Sequence, residues 1–164
     1  FDWTLLERHA DVHRFVKELI RRRMHFDKAS LEYDLTLSQF LAQARYAWHG
    51  VKLHQPDWGP DSHSLAATAV SLTGARVFHL MCNAYWEALS FELPRLPDGI
   101  AGGWRRLMDT ALPAPEDIYG ENEAVLMEEP TYLAQPRSVV LLLSTLTQSG
   151  PGTIHSEGYP DDRK

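Results

Sequence analysis

One cysteine, Cys82, occurs among 164 residues, so no internal disulfide can staple the fold. No apolar run approaches the ~20 residues that a membrane-spanning helix needs. The longest clean run is Val139–Leu143, a length suited to a buried strand. Positive charge is scarce: 16 Lys and Arg against 22 Asp and Glu leave a net charge of −6. That balance excludes nucleic-acid binding through a broad basic face. Walker loops, G-x-G-x-x-G and the G-x-S-x-G elbow are all missing, which removes the usual phosphate cradle and hydrolase nucleophile. A lone thiol suits a reducing compartment, and a cytoplasmic setting is expected.

What is present is the composition of a globular domain, 44% hydrophobic and 23% charged. A chain of this length buries about 70% of its unfolded surface without a metal or disulfide. Residues 1–20 read as the body of a helix that is already under way at Phe1, so a piece of a longer polypeptide is expected. Leu5, Val12, Phe15, Val16, Leu19 and Ile20 recur at helical spacing and form one apolar stripe. Thr4 and Glu7 have capping-box spacing, and Arg14 and Glu18 are four apart. Thr36 and Gln39 would cap a short second helix over 37–45.

From Tyr46 the period changes to two. Strands are expected over 46–53, 65–72, 76–83, 89–93, 104–109, 131–134 and 138–144, with a hairpin at Thr73–Gly74. The predicted class is mainly β: an antiparallel, Greek-key-type β-sandwich preceded by one long and one short α-helix. The boundaries expected are an amphipathic helix over 1–30, a linker and short helix over 31–45, the sandwich over 46–147 and a flexible tail over 148–164.

Chemistry-bearing residues are few. Glu87 and Glu92 flank one strand, and Glu116, Asp117, Glu121 and Glu123 cluster in a Pro-rich loop. Nothing in their spacing sets two carboxyl groups about 5–9 Å apart across a sugar cleft, so solvated loop charge is the reading. His49, His54 and His63 lie near Asp57, but their spacings match no zinc pattern, and no metal or cofactor is expected. Cys82 sits in an apolar strand and reads as a small core residue. Trp48, Trp58, Tyr85, Trp86 and Trp104 are a surplus for a small β-domain. Core or interface packing is their commoner use, and sugar stacking the other. Trp58, with Asp57 beside it, and Trp86 are the candidates for carbohydrate or interface contact.

Several of these segments, in one collinear order from Phe1 to Leu143, resemble one family. Trp48–Trp58 (WHGVKLHQPDW) is similar to the WHGVKLNQPDW stretch of bacterial isoamylase-type glycogen debranching enzymes. Ser62–Leu65, Asn83–Glu87, Phe91–Pro94, Trp104–Pro113 and Arg137–Leu141 resemble the motifs that follow it there, and Leu6–Val16 resembles a helix upstream. His54 replaces the family's Asn and Tyr85 its common His. The resemblance implies a parent in family 13 of the glycoside hydrolases that cleaves α-1,6 branch points with retaining carboxylates on a (β/α)8 barrel. It places this chain at the barrel's last helix and the C-terminal sandwich, so no catalytic residue carries over. The implied role is a non-catalytic accessory domain that stabilises the barrel. The alternative is a carbohydrate-binding module that grips α-glucan through loop tryptophans. Expected partners are that barrel and α-glucan, with no nucleic acid and no membrane. The helix stripe is expected to dock on the sandwich or to self-associate, because an uncovered apolar stripe seeks cover.

Overall fold

The computed structural model describes residues 2–31, 45–71, 76–96 and 102–145. The short helix expected over 37–45, the hairpin at 73–74 and the tail over 148–164 lie outside, or almost wholly outside, the described residues. Two helices open the chain, α1 (Thr4–Arg8) and α2 (Ala10–Leu31). They are separated at His9, where φ −120° and ψ 41° leave the helical region. The expected capping box is not used. Instead Asp2 Oδ1 accepts from the Thr4 amide (3.0 Å) and from its hydroxyl (2.7 Å).

Eight strands follow among the described residues: β1 (Arg45–His49), β2 (Ser64–Val70), β3 (Arg76–Asn83), β4 (Leu89–Glu92), β5 (Arg105–Asp109), β6 (Val125–Leu126), β7 (Thr131–Ala134) and β8 (Ser138–Thr145). All pairings are antiparallel. One sheet has the order β1-β2-β3-β8-β5-β6 and the other is the pair β4-β7. The expected mainly-β class with leading helices is what the fold shows. β8, the most apolar strand, sits centrally between β3 and β5, as its doubly apolar run required. A register shift between Arg106 and Met108 bulges β5 where it pairs with β8.

The inner face of the large sheet meets the small sheet. Ala66, Val77, Met81, Val140 and Leu142 from one side pack with Phe91, Tyr132 and Ala134 from the other, and Trp104 closes the edge. Burying a ring such as Phe91, which is fully enclosed, contributes about 2–3 kcal/mol. Trp104 keeps its indole N–H satisfied by donating to Pro94 O at 2.8 Å. On the opposite face, Leu107 and Ala124 cover Leu143, with Phe78 and Leu141 beside them. Among the described residues that cover reaches as far as Phe78 of β3.

α2 meets the sandwich through an ion pair between Arg14 and Asp117, and Phe15 of its stripe is half-buried. Leu5, Leu6, Val12, Val16, Leu19 and Ile20 remain exposed. Glu18 pairs with Arg21 at 3.1 Å instead of the expected Arg14. The acidic loop is also less idle than its composition suggested, since Glu121 pairs with Arg76 at 3.1 Å.

Candidate functional site

Among the described residues nothing covers the β1–β2 part of the outer sheet face, and Tyr46, Trp48 and Trp58 gather there. In β1, Ala47 and His49 point inward, so Tyr46 and Trp48 point out, 48% and 38% exposed. Trp48 stands opposite Ala67, which stands opposite Leu80, itself opposite Leu141. Leu80 is exposed, and Ala67 and Leu141 are half-buried. Cys82 lies on this same outer face and is half-buried, which corrects its expected place in the core. The physical reason is the alternation of β3: Val77, His79, Met81 and Asn83 take the inward positions, so Phe78, Leu80 and Cys82 face out. Burial pushes the Cys82 thiol up, away from a reactive thiolate.

The strand expected to run to Leu53 ends at His49, because Gly50 turns the chain. A Cβ at Gly50 would lie 2.3 Å from Gln55 O, so only glycine permits that approach. The turn delivers Trp58 to the rim of the open face, where its ring meets Trp48 edge-on at 5.5 Å. Beyond it lies a shallow cleft of about 290 Å³, lined by Asp57, Trp58, Ser62, His63, Leu65 and Cys82. On the far side His63 lies 5.9 Å from Tyr85 and 6.4 Å from Trp86, and those two rings stack at 4.0 Å. Trp58 and Trp86 are 64% and 63% exposed, too open for core packing. The cleft thus brings Trp58 and Asp57 to one wall and reaches Trp86 through His63.

The turn carrying Tyr85 and Trp86 rests on Asn83. Its Oδ1 accepts from the Tyr85 amide at 3.0 Å, and its Nδ2 donates to Glu87 O (2.9 Å), Gln135 O (3.0 Å) and Ala134 O (3.1 Å). Asp57 spends Oδ1 on the Gly59 amide at 2.9 Å, a local turn contact. Glu92 accepts from the Leu53 amide at 3.1 Å. The one fully enclosed carboxylate among the described residues is Asp109, which takes the Tyr132 hydroxyl at 2.7 Å and the Ala111 amide at 2.9 Å. Burial, and the bond to Asp109, push Tyr132 up to about 12. This pair ties the small sheet to β5 and faces no cleft. Among the described residues, no group of three His, Cys, Asp or Glu is placed to hold a metal.

Beneath the Trp58 loop lies a buried network that spacing did not reveal. His49 Nε2 and Thr68 Oγ1 are 2.9 Å apart, and Thr68 Oγ1 and His79 Nδ1 are 3.0 Å apart. The His54 amide donates to His49 Nδ1 at 3.0 Å. Burial, and then the neighbouring His49, push His79 down to about 3, so it is neutral at physiological pH. The signal that could have exposed this group is a histidine or threonine at an inward position on each of three consecutive strands.

Residues 47–143 match the family described as isoamylase 1-3, C-terminal. Over 118 residues, 72% of this chain, the sequence is 28% identical to "Isoamylase 1, chloroplastic" of Oryza sativa subsp. japonica. Over 48 residues, 29% of this chain, it is 52% identical to "Isoamylase 2, chloroplastic" of Arabidopsis thaliana. These matches span 13% and 5% of those relatives. Both relatives are chloroplastic by name, which overturns the cytoplasmic expectation. An unpaired cysteine indicates a reducing environment and does not distinguish one such compartment from another.

Proposed function

This chain belongs to the isoamylase 1-3 C-terminal family, and on that premise we propose that it is a non-catalytic accessory domain of a debranching hydrolase acting on α-1,6 glucan branch points. The reading is that its open sheet face docks on the parent's catalytic barrel and stabilises it, in a plastid, where the relatives named above belong. The observation that carries it is the aromatic face, with Tyr46, Trp48, Leu80 and Trp58 exposed together among the described residues. Contiguous apolar surface of this kind marks an interaction site. The exposed stripe of α2 is the second docking surface, and in the isolated chain the same stripe is where self-association is expected.

The test is to produce the parent protein with Trp48→Ser and Leu80→Ser together. The barrel should lose thermal stability and retain its chemistry per folded molecule. Unchanged stability, or release of reducing sugar from a branched glucan by this chain alone, would refute the reading.

A second reading has its own observation: Trp58, one of the two most open tryptophans of the sandwich, lines a cleft edged by Asp57, Ser62 and His63, and the other, Trp86, lies 6.4 Å from His63. Flat aromatic faces beside hydroxyl-seeking groups suit a pyranose ring. Titration with maltooligosaccharides should then change tryptophan fluorescence. A flat response at millimolar sugar, with Trp58→Ala equally silent, removes this reading.

A further inference from the structure

The loop that presents Trp58 is held from below by a buried imidazole, and one backbone amide fixes the protons of the whole network. A backbone N–H only donates, so His49 Nδ1, 3.0 Å from the His54 amide, must be the bare acceptor nitrogen. Neutral His49 therefore carries its proton on Nε2 and gives it to Thr68 Oγ1 at 2.9 Å. With that oxygen accepting, the Thr68 hydroxyl donates to His79 Nδ1 at 3.0 Å, and the His79 proton stays on Nε2. His79 Nε2 is buried without a hydrogen-bond partner, so the chain of donors ends there. His49, Thr68 and His79 are all buried.

A proton added to His49 has one place to go, Nδ1, where it would oppose the His54 N–H and break the bond that holds the loop. Among the described residues, the rings that face His49 carry no negative charge to offset that proton: the His54 ring of the loop lies at 4.8 Å and the His79 ring of β3 at 5.7 Å. From β4, the carboxylate of Glu92 already holds the Leu53 amide of the same loop. From β2 comes neutral Thr68, and beside His79 the neutral ring of Trp104 at 5.8 Å.

We infer that His49 is the positioning residue for the Trp58 loop and that uptake of one proton at its Nδ1 releases that loop while the sandwich stays folded. The release itself stands on the hydrogen bonds. Its bearing on docking rests on the proposed function.

The experiment is NMR on the chain. Histidine-ring 15N correlations at pH 7.5 should show His49 and His79 both protonated on Nε2. Protection of the His54 amide, corrected for intrinsic exchange, should fall about tenfold from pH 7.5 to 5.5, one unit below an ordinary imidazole pKa of about 6.5. The Met81 and Leu142 amides in the central strands should hold theirs. In His49→Asn the side-chain oxygen replaces Nδ1 as acceptor and takes no proton, so the fall should vanish. An Nδ1–H form of His49, pH-independent protection of His54, or the same fall in His49→Asn would overturn the inference. The first two measurements need no variant, so they decide even if His49→Asn does not fold. They also stand apart from docking, which is read on the parent protein.

Discussion

Acid should weaken the folded chain by an amount set mainly by His79. Its folded pKa is depressed to about 3, against about 6.5 for an exposed imidazole. Above pH 6.5 neither state binds the proton and the neutral ring costs nothing. Below it the unfolded chain takes up a proton that the native core refuses, so stability falls with pH toward a limit near pH 3. The difference integrates to about 2 kcal/mol between pH 8 and pH 5, and to about 5 kcal/mol in full. Total stability is about 5–15 kcal/mol, so this share decides whether the domain survives mild acid. Urea unfolding followed by tryptophan fluorescence at pH 8, 7, 6 and 5 measures it. With m about 2 kcal/mol/M, the midpoint should drop by about 1 M across the series. The other histidines and the carboxylates also titrate, so the decisive quantity is the difference from His79→Asn. That variant keeps an acceptor for Thr68 and cannot charge; it should start lower at pH 8 and decline less steeply. Parallel pH profiles for the two proteins would refute the reasoning.

Two further outcomes follow from single contacts. Gly50→Ala drives a Cβ against the Gln55 carbonyl, and the strain should cost about 1–3 kcal/mol, read as a lower urea midpoint with an altered Trp58 emission. Asn83→Leu strands the Tyr85 amide and the carbonyls of Glu87 and Ala134, so a loss of about 2–4 kcal/mol is expected by thermal melt. A variant within 0.5 kcal/mol of the parent would show that water replaces those bonds.

The alternation of β3 is legible in sequence, and its limits, Arg76–Asn83, come out as expected. Which side faces inward does not. Both faces of that strand are largely apolar, and the deciding fact is that His79 and Asn83 find hydrogen bonds inside. β1 reads too long because Val51 and Leu53 continue its alternation past the turn at Gly50. β6, two residues long, carries no period to detect. Of the candidate residues, composition and loop position point to Asp57, Trp58 and Trp86; Asp57 and Trp58 line the cleft, and Trp86 lies beside His63. Tyr46 and Thr68 give no signal in sequence, and His49 stands out only in a histidine set that matches no zinc pattern, because their importance depends on cross-strand register. His54 shows how a motif departure becomes intelligible only in three dimensions. It has φ 57°, a left-handed conformation that Asn adopts readily and His tolerates.

The order of the large sheet also bears on how a ribosome delivers it. β8 is the last described strand to be synthesised, yet it occupies the middle, joining β3 to β5. Until it emerges, β1–β3 and β5–β6 are two half-sheets with raw edges, so folding of the sheet waits on the emergence of β8. Premature stop codons anywhere before Ser138 should therefore send the nascent polypeptide to chaperones and proteases rather than yield a shortened domain.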